Sequence, residues 1–293
     1  MEPNRIGWIG TGVMGSSMCS NLMIAGYKVG VFTRTRSKAD SLIEKGAQWC
    51  SSPAEVAAAC DVVFSIVGYP DDVEACYLGK DGVLSGNPRC HTIVDMTTSQ
   101  PSLAERIFQK AAEKSIASLD APVSGGDVGA REGKLAIMVG GSESTFQSVL
   151  PLFNIMGENI ALMGDAGAGQ HTKMSNQIKI ASTMIGVVEA LLYGYKAGLN
   201  LNGLLDVIGK GAASSWSLNN LGRRIVNDDF NPGFFIKHFI KDMGIALDEA
   251  RQMNLALPGL AMAHQFYLSA VAQGYENLGT QALYKVLESM NKK

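Results

Sequence analysis

The sequence predicts an α/β protein: a doubly wound, largely parallel sheet followed by an all-α C-terminal domain, with a long helix joining the two. Three observations carry this reading. Short β-rich runs alternate with amphipathic helical stretches through the first half, as strand–helix–strand units require. Several of those runs are almost continuously apolar, which fits strands covered on both faces. After Gly169 the strand pattern stops and helical periodicity takes over.

The strand-like runs are Ile6–Ile9, Lys28–Thr33, Asp61–Val67, Thr92–Met96, Ser118–Ala121, Leu135–Val139 and Ile160–Leu162. Between them lie helical segments such as Ser16–Ala25, Ser37–Lys45, Leu103–Lys114 and Glu143–Met156. From His171 to Ala197 there is no proline, and Ile178, Ala181, Ile185, Val188 and Leu192 recur at helical spacing. Such a rod would be about 40 Å long. Leu201–Lys210, Leu218–Val226, Phe239–Gln252, Leu260–Ala272 and Gln281–Met290 also read as helix. The expected domains are therefore residues 1–165 and 166–293.

Composition narrows the function. Hydrophobic residues make up 46% of the 293, enough for buried cores. The 25 basic and 27 acidic residues are interspersed, which argues against a nucleic-acid partner. The five cysteines include no CxxC pair and the four histidines are scattered, so neither a disulfide framework nor a metal site is expected. No apolar run is expected to span a membrane. Only Met1–Arg5 precede the first expected strand, so no targeting segment is expected. The expected location is cytoplasmic, or mitochondrial or plastid if a transit peptide has been trimmed.

Gly10-Thr11-Gly12-Val13-Met14-Gly15 is a GxGxxG run placed directly after the first strand and opening a helix. That context makes it a Rossmann dinucleotide fingerprint. Gly10 permits the tight turn, Gly12 lets backbone approach a pyrophosphate, and Gly15 allows close helix–strand packing. The helix N-terminus offers unpaired N–H groups to the phosphates. The second strand ends in Thr33-Arg34-Thr35-Arg36, with Lys38 beyond, and has no carboxylate where an NAD enzyme carries one. Guanidinium groups suit a 2′-phosphate. NADP is therefore favoured over NAD.

Two further motifs suggest chemistry. Ser124-Gly125-Gly126 follows a strand, where backbone N–H groups and a hydroxyl could cradle a carboxylate. Lys173 and Asn176 share a face near the start of the long helix, one able to move a proton and the other to fix a polar group. A lysine is more often a solvated surface residue. His171 is read as surface or structural. Lys241 beside Asp242 places a cation next to an acid within an apolar helix.

In this order, Gly7–Gly15, Asp120–Gly126, Gly169–Gln177 and Lys241–Met243 resemble the motifs of the β-hydroxyacid dehydrogenase family. The resemblance covers essentially the whole chain. Val67–Val73, Thr97-Thr98 and Leu278–Leu283 look most like the plant-type 3-hydroxyisobutyrate dehydrogenase-like and glyoxylate/succinic semialdehyde reductase group. It implies Lys173 as general acid/base. It also implies Ser124, Gly125 and Gly126 on the substrate carboxylate, Asn176 positioning substrate, and Thr98 and Lys241 on the cofactor. Gln177 stands where 3-hydroxyisobutyrate dehydrogenases usually show a second Asn, which turns the expectation toward semialdehyde reduction. The direction agrees with a lysine's ordinary pKa of about 10.4, which makes it a ready acid.

The alternative is a dinucleotide-sensing or scaffold protein on the same fold, which would have no need of Lys173 and Asn176 together. A homodimer or homotetramer is also expected. Trp216, Leu218, Phe230, Phe234, Phe235, Phe239, Phe266 and Tyr267 are more large apolar side chains than a short helical half is expected to hide.

Overall fold

The computed structural model describes residues 5–291. The chain divides into two compact units, Met1–Lys173 and Met174–Lys293. The first unit contains β1 (Arg5–Ile9), α1 (Val13–Ile24), β2 (Lys28–Phe32), α2 (Asp40–Glu44), β3 (Gln48–Trp49), α3 (Pro53–Ala59), β4 (Val62–Ser65), α4 (Pro70–Leu78) and β5 (Thr92–Asp95). It continues with α5 (Pro101–Ala112), β6 (Ala117–Asp120), β7 (Val123–Ser124), α6 (Gly126–Glu132), β8 (Leu135–Gly140), α7 (Glu143–Met156) and β9 (Gly157–Gly164). Helix α8 (Ala168–Lys196) runs across the division.

The strand order is β3-β2-β1-β4-β5-β6-β8-β7, with β9 on β8. Strands β1 to β6 pair in parallel, whereas β8 runs antiparallel to β6 and β7. The order 3-2-1-4-5-6 is that of the doubly wound nucleotide-binding sheet. Period-2 alternation builds its two faces. Ile6, Trp8, Val31 and Phe64 point into one core with Met18 and Leu22 of α1 and Phe153 of α7. Ile9, Val63 and Ile93 point into another with Val56, Tyr77 and Leu103. Both faces are covered, which is why these strands read as nearly continuous apolar runs.

The two-residue strands β3 and β7 carry too little pattern to be read from sequence. The first helix starts at Val13 rather than Ser16, because the glycine turn passes straight into it.

The second unit is helical: α9 (Leu201–Ile208), α10 (Arg223–Val226), α11 (Ile236–Gln252), α12 (Pro258–Ala272) and α13 (Leu283–Met290), with a π-helical turn at Ser217–Gly222. Its core corrects one sequence argument. Leu218, Phe230, Phe239 and Tyr267 are buried within the unit itself, so they are not surplus. Trp216 remains 69% exposed, and Tyr193, Tyr195 and Val207 are also exposed. A second correction concerns α8. Its 29 residues are long and apolar enough, by length and composition, to cross a bilayer, contrary to the expectation from local runs. Buried Ala181, Met184, Val188 and Leu191 place that apolar character in the helical core.

Candidate active site

Two of the fingerprint glycines stand where the backbone leaves no room for a side chain. Gly10 has φ +96°, and a Cβ there would stand 2.1 Å from the Ile66 carbonyl oxygen. A Cβ on Gly15 would stand 2.1 Å from the Gly10 oxygen. Neither could be replaced without moving backbone. A Cβ on Gly12 meets nothing within 4 Å, so that glycine leaves the helix entrance open instead of relieving a clash. The indole Nε1–H of buried Trp8 donates to the Gly10 oxygen at 2.9 Å and fixes the turn. Thr11 is buried, and its hydroxyl has no hydrogen-bond partner among the described residues. This loop fits a dinucleotide pyrophosphate: open backbone, a helix N-terminus behind it and no acidic side chain within it.

At the end of β2, Thr33 is half-buried and Arg34 and Thr35 are exposed. Arg34 is not a bare solvated cation. Its guanidinium grips Asp72 of α4 through both carboxylate oxygens, at 2.6 and 3.3 Å. Arg36 lies over the Trp49 ring, 5.5 Å from its centroid.

The carboxyl ends of β4, β5 and β6 carry a buried polar network. Asp95 Oδ1 accepts from the Ser65 hydroxyl at 2.8 Å and from the Thr97 N–H at 3.1 Å. Ser65 also meets the Tyr77 hydroxyl at 2.7 Å. Burial pushes the Asp95 carboxyl up to about 6 despite these hydrogen bonds. Asp120 accepts from the backbone N–H of Gly167 at one oxygen and of Gln170 at the other, both at 2.8 Å. A side chain from β6 thereby caps the first turn of α8. Burial raises the Asp120 carboxyl, and those two N–H groups oppose the rise. Gly169 is required here, since a Cβ would lie 2.4 Å from the Met138 oxygen.

Lys173 stands one turn further along α8. It is 6% exposed, so it is not the solvated surface residue that a lysine usually is. His171 is exposed, as expected. Ser124 ends β7, and Gly125 and Gly126 follow with φ +134° and +65°. Both lie in the left-handed region where only glycine is comfortable. Thr98 is half-buried beside the Asp95 network.

In the second unit, the Asn176 Nδ2 donates to Gln177 Oε1 at 2.8 Å, and the Gln177 Nε2 donates to Asp242 Oδ2. Lys241 Nζ stands 3.0 Å from Asp242 Oδ1. Lys241 is thus a partnered and largely buried cation. Sequence reasoning missed the parts played by Asp95, Asp120, Gln170 and Gln177. Among the described residues no group of His, Cys, Asp or Glu could hold a metal ion.

Residues 5–164 match the profile described as the NAD binding domain of 6-phosphogluconate dehydrogenase. Residues 167–287 match that described as the NAD-binding domain of NADP-dependent 3-hydroxyisobutyrate dehydrogenase. The chain is 55% identical to a probable 3-hydroxyisobutyrate dehydrogenase-like 1, mitochondrial, of Arabidopsis thaliana, over 98% of this chain and 86% of that one. It is 39% identical to the 2-hydroxy-3-oxopropionate reductase of Escherichia coli, over 98% of each. A solved structure of Mycobacterium tuberculosis 3-hydroxyisobutyrate dehydrogenase with L-serine superposes with a TM-score of 0.88 at 30% identity, covering 98% of this chain and 99% of that one.

Fold and fingerprint define an NAD(P)-dependent oxidoreductase. The chain belongs to the β-hydroxyacid dehydrogenase family. Membership sets aside the reading as a non-catalytic sensor.

Proposed function

We propose that the protein reduces a short carboxylate-bearing aldehyde or α-oxo acid, such as glyoxylate or succinic semialdehyde, with NADPH preferred to NADH. The observation that carries this reading is the burial of Lys173. An ammonium group is rarely placed at 6% exposure without a task, because leaving water is costly. An amine held at that position can give a proton to a nascent alkoxide.

A nicotinamide cofactor, when bound, would supply the hydride. Lys173 gives a proton to the carbonyl oxygen as that oxygen gains charge. The Ser124 hydroxyl and the backbone of Gly125 and Gly126 hold the substrate carboxylate, and Asn176 orients the substrate. The loop from Gly10 to Gly15, with Thr33, Arg34, Thr35, Thr98 and Lys241, holds the cofactor. Cofactor preference rests on Arg34, a guanidinium at the strand end where an NAD enzyme carries a carboxylate. Exposed Trp216, Tyr193, Tyr195 and Val207 support self-association as a homodimer or homotetramer.

The test is kcat/KM at pH 7 for glyoxylate and succinic semialdehyde reduction and for 3-hydroxyisobutyrate oxidation, each with both cofactors. Reduction with NADPH should lead. A clear advantage for 3-hydroxyisobutyrate with NAD overturns both the substrate and the cofactor assignment.

A further inference from the structure

Gln170 is fully buried, and its side-chain oxygen, side-chain nitrogen and backbone N–H each make a hydrogen bond. Its Nε2 donates to the Thr97 carbonyl oxygen at 2.7 Å. Its Oε1 accepts from the Ser99 N–H at 2.9 Å. Its backbone N–H donates to Asp120 Oδ2 at 2.8 Å. The side-chain amide therefore acts as a peptide group would in a strand pair, bracketing Thr98 on both sides. It reaches across 73 and 71 residues of sequence to do so. Gln170 is also three residues before Lys173 on the same helix, so both lie on one face.

We propose that Gln170 is a positioning residue that locks the Thr98 segment to the helical turn carrying Lys173. One buried amide then sets the cofactor contact and the proton donor together. The inference rests on the roles assigned above to Thr98 and Lys173. The physical case is that the amide satisfies a donor and an acceptor that are otherwise buried on the Thr98 segment. No other side chain of that length offers both a carbonyl and two N–H groups. Removing it leaves the Thr97 carbonyl and the Ser99 N–H without partners, and the segment must shift to find water. Asp95 and Val67 hold Thr97 from the strand side, through its N–H and its hydroxyl. Gln170 is the tie from the α8 side.

The test uses Gln170→Met, which keeps length and removes both side-chain hydrogen bonds. NADPH affinity is read by nucleotide fluorescence and turnover by steady-state kinetics, in the wild type, Gln170→Met, Thr98→Ala and the double variant. The expected result is a loss of about ten- to a hundredfold in NADPH affinity, on the scale of one or two buried hydrogen bonds. A fall in kcat should accompany it, with KM for the aldehyde unchanged at saturating cofactor. The double variant should bind NADPH little worse than the weaker single one, because Gln170 acts through Thr98.

A folded Gln170→Met with wild-type affinity and kcat overturns the proposal, as do additive losses in the double variant. If Gln170→Met does not fold, Gln170→Leu replaces it in the same cycle, removing both the acceptor for Ser99 and the donor to Thr97 without adding a charge. Failure of both to fold also overturns it, since Gln170 would then be a residue of the fold alone. A wild type that neither binds NADPH nor reduces an aldehyde would sink the functional reading instead.

Discussion

The Gln177 side-chain amide donates to one oxygen of the Asp242 carboxylate, and that single contact fixes the direction of a buried relay. A carboxylate can only accept. Gln177 must therefore turn its N–H to Asp242 and its oxygen to Asn176. Asn176 in turn must give its N–H to Gln177, which leaves its own oxygen as the outward acceptor. Gln177→Leu should break this order. Losing the buried donor to Asp242 should cost about 1–3 kcal/mol. A lower urea midpoint should appear together with a raised KM for the aldehyde. An unchanged midpoint would mean that the carboxylate finds another donor.

Lys173→Ala should lower kcat by about 100- to 10,000-fold, the usual loss when a general acid or base is removed. NADPH affinity should stay near the wild-type value. This contrasts with the Gln170 variants, where affinity and turnover fall together. Near-normal kcat in Lys173→Ala would remove the lysine from the chemistry.

Arg34 should distinguish the two cofactors. Arg34→Ala is expected to raise the KM for NADPH far more than for NADH. Because Asp72 already holds the guanidinium in a two-point grip, Asp72→Asn should free it and lower the KM for NADPH. Equal changes for both cofactors would show that the pair does not read the 2′-phosphate.

Asp95 should leave a mark on stability. Its folded pKa, about 6, lies above the ordinary 3.8, so the folded protein holds a proton that the unfolded chain has released. Between those values stability falls as pH rises, and the full cost of the buried charge is present above about pH 6. Asp95→Asn keeps an oxygen for Ser65 and Thr97 and carries no charge. It should flatten the pH dependence of the urea midpoint across that window. A slope equal to that of the wild type would assign the dependence elsewhere.

How far the sequence reached depends on distance along the chain. Local signals were legible: the glycine turn at Gly10–Gly15, the helix Glu143–Met156 and the strand Thr92–Asp95 all rest on patterns within a few residues. The candidate Lys173 could also be read, from its helix face and its resemblance. What stayed hidden was held by partners far away. Asp120 opens the motif Asp120–Gly126, yet its role as cap depends on Gly167, 47 residues on. Gln170 looks like one more polar residue until Thr97 and Ser99 are beside it. The two-residue strands at Gln48–Trp49 and Val123–Ser124 have no periodicity to detect. The aromatics of the helical half misled because composition alone cannot say that Phe239 stacks edge-on against Tyr267, 5.1 Å away.

All five cysteines are buried free thiols in the sheet-bearing unit, and the helical unit has none. Burial pushes Cys19 and Cys90 up to about 12 and Cys60 to about 11, so almost no thiolate exists at neutral pH. The protein thus carries an internal clock for one of its halves. A thiol-specific chromogenic reagent will stay colourless while the sheet is closed and report each opening of it. Unfolding of the helical unit on its own will pass unrecorded. Comparing the labelling rate with the decay of helical circular dichroism will show whether the two units open together or in turn.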